Sequence, residues 1–108
     1  MDWINLEDAT QLSEIKAQNR TSIIFKHSTR CSVSRMVLRN FEEDANLLKD
    51  FNVYYLDLLN FRDLSNQLAT DFNIQHQSPQ ILVVKGEQCI YNASHEMIDA
   101  AVISEYYQ

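Results

Sequence analysis

Glycine and proline each occur only once in 108 residues. That scarcity excludes collagen-like and low-complexity chains, and it requires short loops between dense regular elements. The two cysteines lie far apart and make no disulfide framework. Basic residues are outnumbered, nine Lys and Arg against fifteen Asp and Glu, for a formal net charge of −6. Phosphate binding wants a basic face, so nucleic acid is not expected as a partner. No apolar run approaches the length that crosses a bilayer, so a membrane partner is not expected either. The opening "MDWINLEDAT" has no basic segment followed by an apolar one, so it does not read as a signal peptide. Unpaired thiols then point to a reducing cytoplasm, where a reactive cysteine is catalytic or sensing.

What is present is a 45% apolar share, enough for one domain over 1–108 with one modest core. Strand-like runs and helical stripes alternate. "WINLED" (3–8) reads as a short strand, and Thr10 stands where it could cap a helix through "LSEIKAQN" (12–19), with Leu12 and Ile15 inward. "TSIIFKH" (21–27) is apolar and β-branched, suited to a central strand. After Cys31, the residues Val33, Met36, Val37 and Phe41 fall at helical spacing. "NVYYLDLL" (52–59) is a second strand, and Phe61, Leu64, Leu68 and Phe72 form one helical stripe. "QILVVK" (80–85) and "CIYNA" (89–93) flank Gly86 as a hairpin. Ser94 is read as the cap of a last helix, "HEMIDAAVISEYY", with Met97, Ile98, Ala101 and Val102 inward. The order β-α-β-α-β-α-β-β-α predicts an α/β fold. Strands separated by helices pair in parallel and the hairpin pairs antiparallel, which gives a mixed central β-sheet with helices on both faces.

The chemistry gathers at "HSTRCSVS" (27–34). A strand ending before Cys31 and a helix starting at it set the sulfur at a helix N-terminus, where unpaired N–H groups favour an anion. Arg30, Arg35, Lys26 and His27 add local positive charge, and such surroundings favour the thiolate, the form that attacks a disulfide sulfur. His27 and Arg35 are the candidates for tuning the acidity of Cys31. Ser34 lies nearly one helical turn on, so its hydroxyl can approach the sulfur and donate to it, but it cannot form a disulfide. A dithiol switch within the motif is excluded, and a one-thiol cycle remains. The competing reading is a small buried cysteine that happens to begin a helix. Cys89 reads as a packed strand cysteine, or more sharply as a resolving thiol if both sulfurs come within disulfide reach. His27, His76 and His95 match no zinc spacing, so no metal site is expected.

Strand, then Cys-x-x-Ser opening a helix, then Ser78-Pro79 before a late strand and hairpin, resembles the thioredoxin fold. More narrowly, "FKHSTRCSVS" with "HQSPQILVVKGEQCIYNASH" resembles the YtxJ-like monothiol bacilliredoxins of the bacillithiol system, over nearly the whole chain. Members commonly carry proline directly after the cysteine, where this chain has Ser32.

The resemblance implies a monothiol thiol-disulfide oxidoreductase. Such proteins remove bacillithiol, a cysteinyl-glucosamine-malate thiol, from S-thiolated cytosolic proteins, a repair connected with oxidative stress. It implies Cys31 and Ser34 as catalytic residues. It also implies that Pro79 follows a cis bond beside the cysteine, with the Ser78 backbone turned toward substrate as a short added strand. Arg30 is the candidate for the malate carboxylates, since a guanidinium matches a carboxylate with two parallel hydrogen bonds. No tightly bound cofactor is expected; bacillithiol, or another low-molecular-weight thiol, is the co-substrate, and a monomer is expected. Two other classes compete: a non-catalytic thioredoxin-fold adaptor, and a glutaredoxin-like iron-sulfur carrier. The carrier's usual motif has glycine and an aromatic after the cysteine, where this chain has Ser32 and Val33.

Overall fold

The fold was taken from a computed structural model that describes residues 1–107. Its centre is β2 (Thr21–His27), a run of β-branched and aromatic residues in which every residue is buried. A strand with neighbours on both edges and helices over both faces shows no polar alternation, which is why "TSIIFKH" reads as a continuous run. β3 (Asn52–Asp57) pairs parallel to β2, with His27 opposite Asp57 at the last step. β1 (Trp3–Asn5) adds parallel to the outer edge of β3. On the other side β4 (Gln80–Lys85) runs antiparallel to β2, with Lys26 opposite Gln80, and β5 (Gln88–Ser94) runs antiparallel to β4. The order across the sheet is β1-β3-β2-β4-β5. Gly86 turns the last hairpin at a φ of 61°, a conformation that glycine enters without steric penalty.

Two layers of side chains cover this sheet. On one face, Ile23 and Phe25 of β2 pack with Val37 and Phe41 of α2 (Ser32–Glu43) and with Ala100 and Ile103 of α4 (Ala100–Ser104). On the other, Ile24 packs with Leu12 and Ile15 of α1 (Ala9–Ala17) and Leu64 and Leu68 of α3 (Arg62–Asp71). Strand period two sorts neighbouring residues to opposite layers, so His27 shares a face with α2 while Lys26 faces the α1/α3 side. None of the helices among the described residues is long and apolar enough to cross a membrane.

Three expectations need correction. The first helix is capped by Asp8, not Thr10: the Asp8 carboxylate accepts from Gln11 N–H at 2.9 Å and the Gln11 side chain reaches back, a complete capping box that starts the helix earlier. The strand after α3 is antiparallel to β2, because residues 73–79 climb back to the end from which α3 descended, so β4 starts where β2 finishes. The last helix is short. β5 continues through Ser94, a 3-10 turn follows over His95–Met97, and Asp99 caps α4 by accepting from Ala101 N–H at 2.9 Å. The change of phase turns Ala100 and Ile103 inward and leaves Met97 68% exposed, with Ala101 and Val102 also facing solvent.

Candidate functional site

Parallel β2 and β3 both finish at one end of the sheet, and the chain leaves β2 there in a tight turn over Ser28–Cys31. The Cys31 N–H donates to Ser28 O at 3.2 Å, and Cys31 O accepts from Arg35 N at 3.0 Å as α2 begins. Cys31 is the N-cap of α2, with extended backbone and no capping bond from its own side chain. It is half-buried and unpaired. The sulfur therefore stands where the first-turn N–H groups of α2 lack intrahelical partners. Arg35 donates to Thr29 O at 3.0 Å and ties the turn closed from the helix side. Arg30 is exposed and lines a cleft of about 330 Å³ with Thr29, Leu59 and Asn60, between the turns that follow β2 and β3.

Ser34 is fully buried. Its Oγ accepts from Ser28 N–H at 3.2 Å and lies 2.7 Å from His27 Nδ1. The sequence suggested a hydroxyl aimed at the Cys31 sulfur; in the structure its partners are His27 and Ser28. Which way the proton runs depends on the imidazole. With hydrogen on Nδ1, both acceptor positions of Oγ are filled and its own hydrogen is free for a third partner; with Nδ1 bare, the hydroxyl donates to the ring. Burial pulls the His27 pKa below its ordinary value and Arg35 acts in the same direction, while Asp57 and Glu42 oppose it. His27 is thus held neutral in a cage of Phe25 and Tyr55 rings.

The Ser78–Pro79 bond is cis. Extending the β2–β4 register by one step beyond Lys26 and Gln80 sets Pro79 beside His27, at the end of the sheet from which the Cys31 turn departs. Ser78 Oγ is buried without a hydrogen-bond partner. Cys31, Ser34, His27, Arg30, Arg35, Ser78 and Pro79 therefore gather at one end of the sheet. Lys26, grouped by sequence with the basic residues around Cys31, does not join them. It is fully buried on the opposite face, with burial lowering its ammonium to about 8. Its place within a strand gave no sign that its side chain passes beneath the sheet. Among the described residues, no three His, Cys, Asp or Glu side chains gather as a metal set.

Cys89 sits elsewhere. It pairs with Val84, four residues along β4 from Gln80, which is about 13 Å of strand. It also packs against the α1/α3 layer, across the sheet from α2. A disulfide needs Cα atoms within about 7 Å, so this placement removes the resolving role. Burial pushes the Cys89 pKa up, opposed by backbone hydrogen bonds with Tyr91 and Val83. Cys89 is accordingly expected to stay a thiol at neutral pH and to alkylate more slowly than a free cysteine, gaining rate only in alkaline buffer. Peptide mapping after timed iodoacetamide labelling measures this, and labelling of Cys89 at the free-cysteine rate at neutral pH would contradict its packing.

The chain superposes on a proposed oxidoreductase with a thioredoxin fold at a TM-score of 0.82 and 27% identity, covering 95% of this chain and 91% of the other. It matches thioredoxin from Trypanosoma brucei brucei at a TM-score of 0.77 and 10% identity, covering 96% and 86%. Mitochondrial thioredoxin 3 of Saccharomyces cerevisiae matches at 0.72 and 15%, covering 94% and 89%. The two thioredoxins share the fold. With its Cys31 turn at the same end as the Ser-Pro segment, this chain is a thioredoxin-fold thiol oxidoreductase. Residues 4–103 match the family model of the monothiol bacilliredoxin BrxC, and the chain belongs to that family.

Proposed function

We propose that this protein removes bacillithiol, or a similar low-molecular-weight thiol, from cytoplasmic protein mixed disulfides by a one-thiol cycle at Cys31. The observation that carries this reading is the pairing of a half-buried thiol at a helix start with a fully buried serine where a second thiol would have to stand. The Cys31 thiolate attacks the bacillithiol sulfur of the mixed disulfide. That S–S bond breaks, the target leaves as a thiolate and takes a proton from water, and a new S–S bond joins bacillithiol to Cys31. A second bacillithiol thiolate then attacks the outer sulfur and departs with the first as bacillithiol disulfide, which restores the Cys31 thiolate. The target thiol is reduced at the expense of the one incoming bacillithiol, the first having already been at the disulfide level, and no bound cofactor is required.

Arg30, at the cleft beside the turn, is proposed to hold the carboxylates of the small thiol. Ser78 and Pro79 are proposed to face the peptide that flanks the modified cysteine, and the unpartnered Ser78 Oγ supports a contact there. His27 and Ser34 order the turn from beneath. The partners proposed are S-thiolated proteins and the small thiol, with the protein acting as a monomer.

The test is to mix the reduced protein with a bacillithiolated target in the absence of free thiol. The expected product has the mass of the protein plus one bacillithiol, with the adduct on Cys31 in a peptide map. It persists until bacillithiol is added, which releases it as the symmetrical disulfide. An internal Cys31–Cys89 disulfide formed without added thiol would replace this cycle with a dithiol one. No adduct, with Cys31 open to a small alkylating agent, would favour a non-catalytic adaptor.

A further inference from the structure

One ammonium is buried beneath the end of β2, on the side of this protein's second core layer. The Lys26 side chain is fully buried on the face where its strand neighbour Ile24 meets Leu12, Leu64 and Leu82. Its Nζ lies 2.6 Å from His76 Nδ1 and donates to Gln80 Oε1 at 3.2 Å. Gln80 is the first residue of β4, directly opposite Lys26 and next to Pro79. The same Gln80 Oε1 accepts from Gln77 N–H at 3.2 Å, and Gln80 Nε2 donates to Gln75 O at 3.1 Å. Gln75, His76 and Gln77 are each gripped, and the next two residues are Ser78 and Pro79.

A buried cation is costly where an apolar side chain of similar volume would fill the space. Removing it would leave no buried group orphaned: Gln80 Oε1 keeps Gln77 N–H, and His76 is exposed to water. Packing alone therefore does not call for a lysine at this position. At neutral pH it remains mostly protonated, since burial lowers it only to about 8.

We infer that Lys26 is a positioning residue: acting through His76 and Gln80 from beneath the sheet, it fixes the shape of the 75–79 segment, so that Ser78 and Pro79 present one rigid edge to the peptide around a thiolated cysteine. This rests on the proposed role of Ser78 and Pro79 in substrate contact. Lys26 touches neither the sulfur nor the substrate. Its effect falls on how well a protein or peptide disulfide docks, and not on the exchange once the sulfurs are aligned.

The test is Lys26→Met, assayed with one short peptide in two forms, as the bacillithiol and as the glutathione mixed disulfide. KM for the peptide is expected to rise on the order of tenfold, with kcat within about twofold. A merely structural role would lower the active fraction, and so the apparent kcat, and leave KM alone. His76→Ala, at an exposed position, is expected to raise KM in the same direction, and the double variant to be no worse than Lys26→Met. If circular dichroism shows Lys26→Met unfolded, His76→Ala decides alone. An unchanged KM in the folded variants, or a loss confined to kcat, overturns the inference while the wild type's activity leaves the proposed function standing. A wild type inert toward both peptides, with Cys31 still open to alkylation, takes down the proposed function and this inference with it.

Discussion

Cys31→Ala is expected to abolish thiol transfer, a loss of at least about a thousandfold relative to the wild type, because nothing in the site can replace the sulfur. Ser34 Oγ is buried and engaged with His27 and Ser28, and a neutral hydroxyl does not displace a thiol from a disulfide. Cys89 lies on the far layer of the sheet. The fold is expected to survive, since Cys31 is half-buried and makes no capping bond, so stability should change by only about 0.5 kcal/mol. The measurement is release of bacillithiol from a thiolated target, run beside Cys89→Ala, which is expected to keep its transfer activity. Transfer retained by Cys31→Ala and lost by Cys89→Ala, with both folded, would mean that the nucleophile has been misassigned.

Phe25→Ala is expected to cost about 3–5 kcal/mol of stability. A domain of this size has only about 5–15 kcal/mol in total. Phe25 is fully buried at the centre of an aromatic group, with ring centroids 5.4 Å from Phe41, 5.9 Å from Trp3 and 6.4 Å from His27. Phe41 belongs to α2, the helix that Cys31 caps, so the lost ring also loosens the seat of the site. Urea unfolding followed by circular dichroism measures the cost. A loss below about 1 kcal/mol would show that Trp3 and Phe41 close the cavity without strain.

The architecture was legible where a single physical signal dominated. β2 and β4 were readable to the residue because continuous burial on both faces makes an unbroken apolar run. α3 was readable because one stripe at helical spacing faces one layer. Less was visible wherever local and distant contacts compete. The final helix was misphased because Ser94 resembles a cap, yet its backbone is recruited as the last rung of β5, and Asp99 takes over the capping. At the site, Cys31 and its helix start were readable from spacing, whereas the place of the Ser-Pro segment beside them came only through the family resemblance. The partners of Ser34 were not, because a hydroxyl at i+3 has the sulfur, the preceding turn and a strand histidine all within reach, and only the folded geometry chooses. Lys26 was hidden for another reason: in a strand buried on both sides, a cation next to a histidine reads as the solvated end of the strand.

The serine at position 34 also bears on how the protein would respond to its surroundings. In a dithiol protein, oxidised and reduced forms differ by two small thiols, so their ratio varies with the square of the thiol concentration, and diluting the pool shifts it. In the one-thiol cycle, loaded and free Cys31 differ by the exchange of one small thiol for one small disulfide. Their equilibrium ratio then follows the ratio of disulfide to thiol in the pool and is indifferent to the pool's total size. With Ser34 locked against His27 and Ser28, such a protein would report how oxidised a cell's thiols are without also reporting how many there are.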